Sequence, residues 1–106
     1  MEESNLVKFF GNTPFVCLLD TFIDNIGESY TKKEIQELSG LSKATLFKHW
    51  PKLDELNVLK ITRVIGKTKL YTLNKENSFV KEILRFELQM IQETSLKKQL
   101  ILAKGR

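Results

Sequence analysis

The chain has 106 residues, 42% of them hydrophobic and 28% charged, with a formal net charge of +4. That length sets the expectation of one domain with a small core, for which oligomerisation is a common supplement. No apolar run is long enough to span a bilayer, and the one cysteine, Cys17, has no internal partner, so a cytoplasmic protein without a disulfide framework is expected.

Charge is unevenly placed along the chain. Residues 1–30 hold five acidic residues against Lys8 alone, whereas residues 42–69 hold seven basic residues against Asp54 and Glu55. A localised basic segment suits a polyanion, because each neutralised phosphate releases counterions. The alternative is a lysine surface that only keeps the chain in solution.

The first segment, residues 1–12, begins MEESNLVKFF. It is acidic ahead of a short apolar patch, unlike a signal peptide. Leu6, Val7, Phe9 and Phe10 are too many apolar residues for a loose tail, so a short helix or an extended arm against the C-terminal helix is expected. Thr13 and Pro14 then supply an N-cap and a first helical residue. Phe15, Leu18, Leu19, Phe22 and Ile26 make one helical stripe, with Gly27 as its stop. Cys17 lies near the stripe and reads as a packed residue, since no base is arranged with it.

Thr31 and Glu34 form a capping-box pattern. Ile35 and Leu38 are expected to face inward on a helix of about two turns that closes at Gly40. Ser42 caps the next helix from Lys43. Two short helices joined by a Gly-containing turn have the sequence form of a helix-turn-helix.

Leu46, Trp50, Leu53 and Leu56 keep one helical period across Pro51. The expectation is one helix to about Asn57, bent near residues 47–51, with Pro51 on its exposed side. A break before the proline is the alternative. The opposite face carries Lys43, Ala44, Phe47, Lys48, Pro51 and Lys52, with Ser42, Thr45 and His49 at its edges. Short hydroxyl and amine side chains there suit phosphate and base-edge contacts. Phe47 either meets a base methyl or sugar or packs beside the following hairpin.

VLKITRVIGKTKLYTLN reads as a hairpin broken at GKT. Two- and three-residue loops assign opposite faces to Val64, Leu70 and Tyr71, so its register stays open. From Asn77 a long helical pattern carries two stripes: Phe79, Ile83, Phe86 and Met90, and Val80, Leu84, Leu88 and Ile91. That face is wider than one small domain needs. Phe79, Val80, Ile83, Leu84, Leu88 and Ile91 are therefore candidates for a homodimer contact, and the tail from about Leu96 either frays or extends it.

Helix, short helix, turn, helix, hairpin, long helix is a mainly helical α+β order. Within it, the stretch YTKKEIQELSGLSKATLFKHWPKLDELNVLKITRVIGKTKLYTLN resembles the winged helix-turn-helix transcriptional regulators. The resemblance is to small prokaryotic or archaeal proteins of arsenical-repressor-like and multiple-antibiotic-repressor-like type. It covers about residues 13–75 and leaves residues 76–106 as a dimerisation helix. It implies a homodimer on double-stranded DNA, with the helix from Lys43 in the major groove. It also implies a wing on the minor groove or backbone, where Arg63, Lys67, Thr68 and Lys69 make the contacts.

Two departures are Asn57, where such proteins usually have Gly, and Pro51 in the recognition helix. Without a cysteine pair near that helix, the metal-sensing branch is excluded. One Cys and one His do not make a zinc site in one chain, so no metal and no cofactor is expected. His49 reads as an edge contact rather than a ligand or base. An enzyme is disfavoured by the lack of a glycine-rich phosphate loop and of a nucleophile–base pair. The remaining alternatives are a protein–protein interaction module on the same fold and an architectural or partition DNA binder with little base specificity.

Overall fold

The computed structural model describes the backbone of residues 3–104 and the side chains of residues 3–93. Helices α1 (Asn5–Phe10), α2 (Pro14–Asp24), α3 (Lys32–Ser39) and α4 (Lys43–Glu55) precede an antiparallel hairpin of β1 (Leu59–Ile65) and β2 (Thr68–Leu73), and α5 (Ser78–Lys104) closes the chain. No helix of the described residues is long and apolar enough to cross a membrane.

The first four helices start on side-chain caps, because the first N–H groups of a helix have no internal acceptor. Ser4, Thr13, Thr31 and Ser42 accept from the backbone N–H of Val7, Val16, Glu34 and Thr45. At α3 the box is reciprocal: the Thr31 N–H donates to the Glu34 carboxylate at 2.9 Å. A box of this kind is worth about 1 kcal/mol. The segment before α2 is a short helix, its Leu6 buried beside α2 and its Phe9 and Phe10 set edge-on to Phe86 of α5.

Helix α4 runs unbroken through Pro51, which is exposed. The proline has no N–H to give the Phe47 carbonyl. That carbonyl belongs to an exposed residue, so water can replace the missing donor. The helix ends in a Schellman motif. Asn57 takes φ 55°, the Asn57 N–H donates to the Asp54 carbonyl, and the Val58 N–H donates to the Leu53 carbonyl. Leu53 and Val58, the apolar pair of that motif, are both fully buried.

The hairpin register pairs Ile65 with Thr68 and Ile61 with Tyr71, with a bulge between Ile61 and Arg63. The loop is thus two residues, Gly66 and Lys67. Gly66 holds φ 62°, which a II′-type loop asks of its first residue. Paired residues share a face. Leu59, Ile61, Val64, Lys69, Tyr71 and Leu73 therefore lie on the side of the helices, and Lys60, Arg63, Leu70 and Thr72 on the other.

The core gathers Leu18, Leu19 and Phe22 of α2, Ile35 of α3, Leu46, Trp50 and Leu53 of α4, Tyr71 and Leu73 of β2, and Val80 of α5. Trp50, 2% exposed, sits edge-on to both Phe22 and Tyr71, at 6.2 and 5.0 Å between ring centres.

Three expected core positions face outward instead. Ile26 is exposed because α2 stops at Asp24, three residues before Gly27, with the Asn25 amide donating to the Thr21 carbonyl. Leu38 is exposed: α3 is short enough to anchor through Ile35, and the chain returns to the core at Leu41. Leu56 is the C-cap of α4, and the left-handed turn at Asn57 gives its place inside to Val58.

Candidate functional site

Helix α4 lies along one flank of a basic surface. Ser42, Lys43, Ala44, Phe47, Lys48, Pro51 and Lys52 are exposed, and Thr45 and His49 are half-buried at the edge. The sequence-expected face is therefore present on one continuous helix. The Ser42 hydroxyl caps the helix and donates to the Thr45 hydroxyl at 2.8 Å, so the two small polar groups of the first turn are held together.

Phe47 is 47% exposed and serves as a platform for cations. Lys32 Nζ lies 5.5 Å and Lys43 Nζ 5.8 Å from its ring centre. Lys32 Nζ also stands 5.1 Å from the Trp50 ring and 5.9 Å from the Tyr71 ring. Attraction to ring faces is worth about 0.5–1 kcal/mol at exposed sites and more when desolvated. Lys32 is thereby positioned at the meeting point of α3, α4 and β2. Lys52 turns elsewhere, with its Nζ 4.5 Å from the Phe15 ring centre, away from the Phe47 platform.

Two hollows flank Lys32 and Lys33. One, of about 540 Å³, is walled by Thr31, Lys32 and Lys33 on one side and Lys67, Thr68 and Lys69 on the other, with Tyr71 at its base. The second, of about 460 Å³, continues from Lys32 and Lys33 to Gln36, Lys43 and Phe47. No acidic side chain lines either. Among the described residues none of these lysines has a carboxylate within 4.0 Å.

The hairpin residues expected at this surface divide between its two faces. Lys67, Thr68 and Lys69 border the hollow: Lys69 shares the helix-side face with Tyr71, and Thr68 reaches the hollow at the strand end beside the loop, although its face is that of Arg63, which is paired with Leu70 and lies away from the helices. The sequence marks Thr31 only as a helix cap and does not single out Lys32 or Lys33. Their charge is balanced locally by Glu34 and Glu37, which hides them in a running count, yet those carboxylates line neither hollow.

The hairpin is fixed against α3 by a bridge outside the two strands. The Tyr30 N–H donates to the Tyr71 carbonyl at 2.8 Å and the Tyr71 N–H to the Tyr30 carbonyl at 2.7 Å. The Thr62 hydroxyl, in the bulge, donates to Ser29 at 2.8 Å.

On α5 the residues considered for a second chain have different surroundings. Val80 is 2% exposed and belongs to its own core, so it is not open to a partner. Ile83 and Leu84 pack partly against that core. Phe79, Leu88 and Ile91 are exposed. The segment from Leu96 lies outside the residues whose side chains are described.

Cys17 is half-buried, and its thiol contacts the Ser39 carbonyl at 3.6 Å. Burial, with the charge of Asp20 adding to it, raises its pKa above the ordinary thiol value, the reverse of what an activated nucleophile requires. Among the described residues no group of three or more His, Cys, Asp or Glu side chains could hold a metal ion.

In outline the element order agrees with a winged-helix-like topology. No family model matches the chain, and no match is found among curated proteins or solved structures.

Proposed function

We propose that this chain is a winged helix-turn-helix DNA-binding protein, acting as a homodimer in sequence-specific transcriptional regulation. In this reading α4 enters the major groove and the hairpin meets the flanking duplex. The observation that carries the proposal is the outer face of α4. Its first two turns present Lys43, Lys48, Thr45 and His49, with Ser42 as cap, and no acid intervenes before Asp54. Lysines on such a face neutralise phosphates, and the short polar side chains at its edge reach base edges. The contact region is Ser42 to His49, ahead of Pro51.

The test is binding of the purified chain to duplex DNA across a salt series, followed by selection of bound sites from a random pool. The expected result is a steep loss of affinity with salt and an enriched pseudo-palindrome with half-sites about 34 Å apart. Absence of binding, or binding indifferent to salt, overturns the proposal. Salt-sensitive binding without an enriched sequence leaves an architectural DNA binder.

A second reading, a protein-interaction module, draws on the hairpin, where Ile61 and Val64, on one face of β1, are both exposed. An apolar strip of that kind suits a protein surface, but it lies beside the lysines rather than replacing them.

A further inference from the structure

The first hollow has two walls from different parts of the chain. Lys32 and Lys33 stand on the first turn of α3, and Lys67 and Lys69 on the hairpin. Their charges converge on one open channel, which continues past Phe47 to Lys43. Like charges facing one another across a gap repel, and the fold holds them there without a carboxylate lining either hollow. A ligand that relieves this repulsion is a polyanion, and a channel that continues into a second hollow suits a chain of phosphates better than a single ion.

We propose that the groove between α3 and the inner face of the hairpin seats the phosphodiester backbone of one strand of duplex DNA. Lys33 and Lys67 close on it from opposite walls, and Arg63 takes no part. This deepens the reading given above and rests on it. The hairpin then acts as one jaw of a backbone clamp, rather than carrying an arginine into the minor groove.

Three features support this arrangement. The hairpin register puts Lys69 on the same face as Tyr71, toward the helices, and Arg63 on the other face. The paired hydrogen bonds between Tyr30 and Tyr71 join the two walls at their base, so the gap is set before any ligand arrives. Lys32 is held by the Trp50, Phe47 and Tyr71 rings, which lowers the entropy lost when it engages a phosphate. Lys43, on the far side of Phe47, continues the charged path to the first turn of α4. The strand gripped in the groove is therefore the one that borders the base contacts of α4.

The experiment measures the salt dependence of binding to one duplex for the whole chain and for Lys33→Gln, Lys67→Gln and Arg63→Gln. All three positions are exposed, so folding is not at issue, and circular dichroism checks it. Lys33→Gln and Lys67→Gln are each expected to flatten the slope of log affinity against log salt by about 0.9 per bound copy, and so by roughly twice that for the homodimer. They should weaken unrelated duplexes to the same degree, as lost backbone contacts do. Arg63→Gln should leave the slope at the wild-type value. If Arg63→Gln flattens the slope and the two lysine variants do not, the clamp is overturned while DNA binding stands. If the wild-type chain binds no duplex, both readings fall.

Discussion

Tyr30 and Tyr71 exchange both backbone hydrogen bonds, at 2.8 and 2.7 Å, across 41 positions of sequence. This isolated bridge adds a one-residue third strand to the hairpin. It sits directly before the Thr31 cap of α3, so the hairpin and that helix share one support. Tyr30→Pro deletes one of the two donors and leaves the Tyr71 carbonyl without its partner. The expected loss is about 1–3 kcal/mol, read as a lower urea midpoint with an unchanged m-value. Tyr30→Phe, which keeps the backbone bonds, should remain near wild type.

The junction between α4 and α5 depends on asparagines. The Asn77 amide donates to the Leu56 and Asn57 carbonyls, while its oxygen accepts from the Val80 N–H and caps α5. Asn74 adds a third bond across the junction, also to the Asn57 carbonyl. Asn77→Ala removes a cap and two tertiary bonds together, for an expected cost of about 2 kcal/mol in thermal unfolding. Asn57→Gly should cost little or nothing, because its φ of 55° is one that Gly adopts freely. Asn57→Val, β-branched at the same φ, should be clearly destabilising.

Pro51 supplies an opposite sign. It occupies a helix interior without breaking the helix, so Pro51→Ala can restore the donor to the Phe47 carbonyl. The gain, up to about 3 kcal/mol, is reduced by the roughly 0.4–1 kcal/mol by which proline restricts the unfolded chain. A rise in melting temperature is expected; a fall would mean that the proline ring makes contacts that outweigh the lost hydrogen bond.

Much of this architecture is legible locally. Caps such as Thr31–Glu34 are written in adjacent residues, and the period of Leu46, Trp50 and Leu53 carries α4 through its proline. The hairpin register was open because the choice between two loop lengths depends on the φ of Gly66 and on a bulge after Ile61, which no local pattern announces. The Tyr30–Tyr71 bridge was invisible for a related reason: a single residue pair has no periodicity. The lysine groove was half legible. Lys67 and Lys69 stand in a basic run, but Lys32 and Lys33 are followed closely by Glu34 and Glu37 and separate from them only when α3 sends its side chains in different directions.

Glu87 gives the fold a pH dependence. Burial raises its carboxyl pKa above the ordinary value, and the charges of Asp20 and Asp24 on α2 push the same way, against a smaller favourable effect of Asn5 on α1. One of its oxygens is buried without a hydrogen-bond partner. A carboxyl whose folded pKa is raised binds its proton more tightly in the folded state. Its stabilising contribution is complete below the unfolded pKa and is lost as pH rises through the folded one. Glu87→Gln should therefore raise the melting temperature at pH 7, with the gain shrinking toward zero near pH 4. Asp24, raised by burial and then by Asp20, should show the same trend as Asp24→Asn. A gain that stays constant with pH would exclude the charge as its cause.

The proposed homodimer makes its demand on the outer side of α5. Val80 is occupied by its own core, and Ile83 and Leu84 partly so, which leaves Leu88 and Ile91, at 57% and 56% exposure, as the apolar residues of α5 most open to a second copy among the described side chains. They stand three positions apart and so share one helical face. Leu88→Glu with Ile91→Glu places two carboxylates on that face without entering the domain core, so the monomer fold should survive, as checked by circular dichroism. In light scattering the wild-type chain should have twice the monomer mass and the variant the monomer mass. A dimer also presents two copies of α4 to one duplex, so the variant should bind a palindromic site no better than a half-site. If the mass is unchanged by both substitutions, the contact lies elsewhere on the molecule, and this use of α5 is wrong.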